Sequence, residues 1–208
     1  MKGVVISLFD YTGNMVKPWA EQGYKCIVAD IQHPAGFRPL YENVLSLGID
    51  LAYPVPPELT NEAIAAVFAF PPCDHLAVSG ARWFKGKGLR KLASSINLFA
   101  TAAEFCESSD APYMIENPVS TISTYWRKPD YSFHPWEYAG YCEADNYTKK
   151  TCLWTGGGFI MPEKAQGSEE PDDRIHKCPP GPDRANIRSA TPMGFAKAVF
   201  EANKETAV

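Results

Sequence analysis

The chain lacks any run of about 18 apolar residues, so no segment of it can cross a bilayer as a helix. Paired cysteines are missing too. The six thiols, Cys26, Cys73, Cys106, Cys142, Cys152 and Cys178, are scattered with no C-x-x-C among them, and Cys73-x-His75 and His176-x-Cys178 do not have the spacing of a zinc knuckle. No metal site is expected. With no secretory-type leader at the start, a reduced, cytoplasmic setting is expected. Excess positive charge is also absent: 20 Lys and Arg face 24 Asp and Glu, a net charge of −4. That excludes a protein that coats nucleic acid non-specifically, because such binding needs a broad basic surface. Any contact with nucleic acid must be local.

What is present is a 45% hydrophobic composition over 208 residues, enough for one well-buried core, and residues 1–208 are expected to form a single domain. Gly3 to Phe9 is a β-branched apolar run that ends in the turn Asp10-Tyr11-Thr12-Gly13-Asn14. Met15 to Gln22 fits a helix stopped by Gly23, and Lys25 to Ala29 fits a second strand closing on Asp30. A short third strand is placed at Gly48 to Leu51, a fourth at Ala65 to Phe70 and a fifth at Tyr113 to Ile115, with another at Thr151 to Trp154. Leu89 to Glu107 reads as a long helix and Pro192 to Asn203 as a closing amphipathic one. Strands alternating with helices predict an α/β, Rossmann-like fold, a mostly parallel sheet with helices on both faces. Pro162 to Arg188, rich in Pro, Gly, Asp and Glu and without an apolar period, reads as a loop-rich or partly disordered insertion.

In such sheets ligands bind beyond the carboxyl ends of the strands. Here those ends carry Asp10 to Gly13, Asp30, Asp50, Pro72-Cys73 and Glu116-Asn117. Gly13 could present backbone amides to a cofactor, and Asp30, about 20 residues on, stands where a carboxylate grips ribose hydroxyls. Taken alone, these two residues read more simply as a turn glycine and a strand-end cap. Phe70-Pro71-Pro72-Cys73 adds a thiol on a turn stiffened by two prolines. Most free cysteines are small buried hydrophobes, which is the reading for Cys26 and Cys106; the strand-end position of Cys73 sets it apart. Behind it, from His75 to Ala103, no acidic residue occurs while Arg82, Lys85, Lys87, Arg90 and Lys91 stand among Trp83 and Phe84. Such a stretch suits phosphates and bases, or is simply a solvated loop leading into a helix.

Taken in order, these segments resemble the cytosine 5-methyltransferase family, especially its short phage-type forms. Ser7 to Gly13 is similar to the family's first cofactor motif, Asp30 to its ribose carboxylate, Asp50 to its adenine-side acid, Phe70-Pro71-Pro72-Cys73 to the Pro-Cys motif and Met114-Ile115-Glu116-Asn117-Pro118 to the Glu-Asn motif. Thr148 to Trp154 is weakly similar to the Gln-x-Arg-x-Arg segment, with Lys150 on the first arginine and Cys152 on the second, and Arg188 to Pro192 to the last motif. The resemblance implies S-adenosyl-L-methionine as cofactor, held by Phe9, Asp10, Tyr11, Thr12, Gly13, Asp30, Ile31, Asp50 and Pro71. It implies Cys73 as nucleophile at carbon 6 of cytosine, Glu116 as the acid at ring nitrogen 3, Asn117 as the holder of the strand-end loop, and Lys150 near the base. Tyr11 replaces a usual glycine of the first motif. Only about 30 residues separate the Gln-x-Arg-x-Arg segment from the last motif, too few for the family's target-recognition domain.

The expected activity is therefore methyl transfer to carbon 5 of cytosine, in duplex or single-stranded DNA or in a free cytosine nucleotide. The setting implied is a bacterial or phage-infected cytoplasm, with a role such as protecting DNA from restriction. A protein partner could supply target recognition, and no membrane contact is expected. Two alternatives stay open: a non-catalytic cofactor- or nucleic-acid-binding module of the same fold, and the same chemistry with a group other than methyl.

Overall fold

The first strand, β1 (Val4–Leu8), is buried along its whole length, as a strand covered on both faces must be. It stands inside a seven-stranded sheet in the computed structural model, which describes residues 2–53, 55, 56, 59 and 61–205. After β1 come α1 (Lys17–Glu21), β2 (Cys26–Tyr41), β3 (Val44–Gly48), β4 (Ile64–Ala69), a 3₁₀ turn at Val78–Trp83, α2 (Phe84–Lys87) and α3 (Leu89–Ser108). The second half holds β5 (Tyr113–Pro118), α4 (Ile122–Tyr125), β6 (Tyr131–Phe133), β7 (Thr151–Gly156), α5 (Arg174–Lys177), α6 (Arg184–Ser189) and α7 (Met193–Asn203).

The strand order is β3-β2-β1-β4-β5-β7-β6. β2 and β4 flank β1 in parallel, β5 is parallel to β4, and β7 enters antiparallel between β5 and β6. The fold is thus the α/β, Rossmann-like class expected. Its two cores follow from the period of two: Val5, Cys26, Val28, Phe68, Met114 and Leu153 face the side covered by Trp19 of α1 and Phe195 and Val199 of α7. Ile6, Leu8, Ile27, Val67, Ile115 and Trp154 face the side covered by Phe99, Ala102 and Cys106 of α3. Chain order reverses between β1 and β4, so the crevice beyond their carboxyl ends is the switch point where ligands lodge. No helix among the described residues is long and apolar enough to cross a membrane.

Several boundaries differ from the sequence reading. The third strand is Val44–Gly48, not Gly48 to Leu51. Asn43, at φ 62, closes a reversal just before it, and Val44, Ser46 and Leu47 supply the buried positions. β2 is longer than expected. Its first part pairs in parallel with β3, but beyond a bend the partners run in reverse order, Ala35 opposite Gly48 and Tyr41 opposite Val44. This arm is exposed and contains Pro34, Gly36 and Pro39, which hide it from a strand pattern. β6 is hidden for another reason, its length of only three residues. α1 begins at Lys17, since Met15 and Val16 belong to the entering turn and Pro18 fits the helix's first positions. Pro162 to Arg188 contains two short helices and is pinned by backbone bonds, Ala165 N to Glu137 O at 3.0 Å, Gly140 N to Ala165 O at 2.7 Å and Thr148 N to Asp172 O at 2.8 Å.

Candidate active site

The turn after β1 is built by Asp10. Its buried carboxylate accepts bonds from Ser7 Oγ at 2.8 Å, Thr12 Oγ1 at 3.1 Å and Gly13 N at 2.8 Å. Burial raises its pKa while those bonds oppose the rise. Asp10 therefore shapes the turn with its side chain, and a cofactor would meet the backbone it holds. Gly13 adopts φ +68, and a Cβ there would stand 3.0 Å from the Tyr41 hydroxyl. That hydroxyl, on the returning arm of β2, donates to Gly13 O at 2.9 Å. Tyr11 is 44% exposed and leans on the His33 ring with centroids 5.3 Å apart.

Asp30 ends the inner part of β2. Its Oδ1 accepts the Gln32 amide at 2.8 Å, which fixes the bend that follows. Ile31 beside it is 69% exposed, an apolar surface next to a carboxylate. Asp50 is exposed and binds its own turn through Ala52 N at 2.9 Å. Two longer-range bonds draw the end of the chain over this region: Asn186 Nδ2 of α6 donates to Gln32 Oε1 at 3.2 Å, and Asn14 Nδ2 donates to Thr191 O at 3.1 Å. Nothing local in the sequence marks Tyr41 or Asn186 for these positions.

The candidate reaction centre comes from the next pair of strands. β4 and β5 run in register with Ala69 opposite Ile115, so continuing each chain two residues places Pro71 near Asn117. Asn117 is fully buried, and its Nδ2 donates to Pro71 O at 2.8 Å. This bond ties the strand-end loop that carries Cys73 to the strand that carries Glu116. The Cys73 carbonyl accepts the amides of Leu76 and Ala77, both at 2.9 Å, curling the chain tightly behind the thiol. Burial pushes the Cys73 thiol up to about 11 from an ordinary 9; Glu116 and Asp74 push the same way and Lys149 opposes them. The Glu116 carboxyl is raised as well, chiefly by burial, with Lys149 and the Thr151 hydroxyl counteracting.

Lys149, not Lys150, is the cation at the site. Its Nζ lies 3.9 Å from Glu116 Oε1, with both side chains largely buried. Parity explains the change: Glu116 pairs with Leu153 across β5 and β7, and side chains of alternate residues share a face, so Thr151 and Lys149 fall on the Glu116 side while Lys150 and Cys152 fall on the other. Lys150 is exposed. A narrow cleft beside Glu116 and Lys149 is lined by Phe70, Phe133, Thr191 and Phe195, so the loop before α7 also borders the candidate site.

No protein-family model matches the chain, and no curated protein matches it. Among solved structures, one similar to it is titled the glycopeptide N-methyltransferase MtfA, at 11% identity and a TM-score of 0.33. The superposition covers 75% of this chain and 65% of that one, so the chain spans just under two thirds of its length.

Proposed function

We propose that the chain transfers a methyl group from S-adenosyl-L-methionine to carbon 5 of cytosine through a covalent bond from Cys73. The observation that carries this reading is the junction of Cys73, Glu116 and Lys149 at one sheet edge, clamped by the Asn117 to Pro71 bond. The likeness of the Pro-Cys and Glu-Asn segments to the cytosine 5-methyltransferases supports it, as does the bond from Asn117 to Pro71 O that ties these two segments, far apart in the chain, together.

The strand-end residues fit the cofactor. Asp30 offers a carboxylate for hydroxyl groups, Ile31 an exposed apolar surface for an adenine ring, and the turn from Phe9 to Gly13 a close backbone. When bound, S-adenosyl-L-methionine supplies an electrophilic methyl group. Cys73 attacks carbon 6 and forms the Sγ–C6 bond, while Glu116 donates a proton at ring nitrogen 3. Carbon 5, made enamine-like by that bond, would accept the methyl; loss of the carbon 5 proton to solvent water then breaks the Sγ–C6 bond and returns the thiolate, while the nitrogen 3 proton goes back to Glu116. The upward shift of Glu116 suits this role, because burial favours the protonated carboxyl, which has a proton to give. Lys149 beside it counters the negative charge that the Cys73 and Glu116 pair must otherwise share.

A cytosine analogue fluorinated at carbon 5 tests the reading, because the fluorine cannot leave as a proton and the adduct persists. With cofactor present, denaturing mass spectrometry is expected to find one adduct, on Cys73, absent in Cys73→Ser. An adduct on another cysteine, or none with any cytosine substrate, overturns the assignment.

A further inference from the structure

We infer that the surface flanking Cys73 is a platform for a single strand of nucleic acid, which delivers the target cytosine already unpaired; this rests on the cytosine-methylating reading of the site. Two segments build the surface, and backbone bonds join them. Val78 N donates to Val119 O at 2.9 Å, Thr121 N donates to Leu76 O at 3.0 Å, and Ala77 bridges Ser120. The loop after the nucleophile and the loop after Glu116 thus form one sheet-edge ledge beside the thiol. Lys87 Nζ reaches back to Asp74 O and closes the first of them.

The ledge is rich in positive charge, although Arg127 is paired with Asp130 at 2.7 Å and Asp74 stands beside the thiol. Residues 75–103 and 117–129 hold seven of the chain's 20 Lys and Arg and none of its 24 Asp and Glu. Arg82, Lys85, Arg90, Lys91 and Lys128 are exposed. Arg90 and Lys91 occupy the first turn of α3, which has no acidic residue, although a helix start disfavours cations. In a chain of net charge −4, such a concentration fits a polyanion.

Aromatic rings stand exposed among these cations. Trp83 is 59% exposed and Tyr125 60%, with Trp126 at 38%. The Arg82 guanidinium lies 4.9 Å from the Trp83 ring and that of Arg127 4.6 Å from the Trp126 ring. Rings that alternate with cations provide stacking for unpaired bases and contacts for the backbone between them. A duplex hides its base faces and leaves Trp83 and Tyr125 nothing to stack on, and the outward segment here, a 3₁₀ turn and the four-residue α2, is too short to fill a groove.

Anisotropy titrations of the full chain with a labelled 12-nucleotide single strand, and with the same sequence as a duplex, test the platform. The single strand is expected to bind at least about tenfold more tightly than the duplex. Trp83→Ala and Tyr125→Ala are each expected to weaken it by about 5- to 150-fold, the effect of removing one stacked base. An Arg82→Gln, Lys85→Gln double variant is expected to flatten the dependence of log affinity on log salt by about 0.7 for each phosphate that is no longer neutralised. Both rings are exposed, so circular dichroism should confirm unchanged folds. Equal or tighter duplex binding, or indifference to both aromatic substitutions, overturns the platform. Methyl transfer and the fluorinated adduct are read separately. Strand binding without chemistry leaves the platform and removes the reaction, whereas transfer to a free nucleotide with both aromatic variants fully active does the reverse.

Discussion

The resting state of Cys73 gives the sharpest quantitative expectation. Its thiol titrates near 11 instead of 9, with burial as the first cause and Glu116 the second. At about pH 8 a thiol of pKa 9 is about 10% thiolate and one of pKa 11 about 0.1%, a hundredfold difference. The less acidic thiolate is intrinsically more nucleophilic, and a Brønsted slope of about 0.4–0.5 returns about 6- to 10-fold. The net expectation is exchange with a small neutral disulfide about 10- to 15-fold slower than at an unperturbed thiol. Peptide mapping by mass spectrometry isolates Cys73 from the other five cysteines, and rate against pH gives its midpoint. Glu116→Gln removes the neighbouring charge and should lower that midpoint; Lys149→Gln removes the opposing cation and should raise it. A wild-type midpoint at or below 9, or a midpoint indifferent to both substitutions, would refute the coupling of these three side chains.

Asn117→Ala removes the bond to Pro71 O and leaves a buried carbonyl without it, an expected loss of about 1–3 kcal/mol. Hydrogen exchange at residues 73–77 should rise with the fall in Tm; unchanged exchange there would mean the bond does not hold the nucleophile loop. Asp10→Asn bears on pH. The folded pKa of Asp10 is raised, so its contribution to stability is complete below the unfolded value near 3.8 and is lost as pH rises through the folded value. The variant keeps an acceptor for Gly13 N and should lose less stability than wild type as pH rises above the ordinary carboxyl value near 3.8, as read from Tm against pH. Gly194→Ala places a Cβ 2.4 Å from Tyr138 O, on the residue whose amide donates to Asp145 Oδ2 at 2.6 Å. Urea unfolding should show a loss of about 1–3 kcal/mol, and a loss under about 0.5 would mean that the backbone there yields freely.

The sheet was readable because buried parallel strands are short apolar runs that end abruptly. Val4 to Leu8 and Ile64 to Ala69 give that signal within the strand itself. The arm over residues 35–41 does not. It carries prolines and a glycine, exposes most of its side chains, and is a strand only because β3 offers a free edge beside it. The same holds for the 162–188 segment, whose order comes from bonds to Glu137, Gly140 and Thr148 rather than from an apolar face of its own.

The site divides along the same line. Cys73, Glu116 and Asn117 were legible because each directly follows or ends a strong strand, and parallel pairing in register carries neighbouring strand ends to one place. Lys149 was not, because choosing it over Lys150 requires the pairing of β7 with β5, and a shift of one residue turns a strand's side chains to the opposite face. The pairing of Glu116 with Leu153 fixes that parity and predicts a contrast a local motif cannot: Lys149→Gln should move the Cys73 midpoint, and Lys150→Gln, one residue on, should leave it in place. The two substitutions remove the same charge from adjacent positions, so a difference between them measures the facing of the strand together with the burial that this facing brings. Equal shifts from both would mean that the cation acts through the general field, and the assignment of Lys149 would fail.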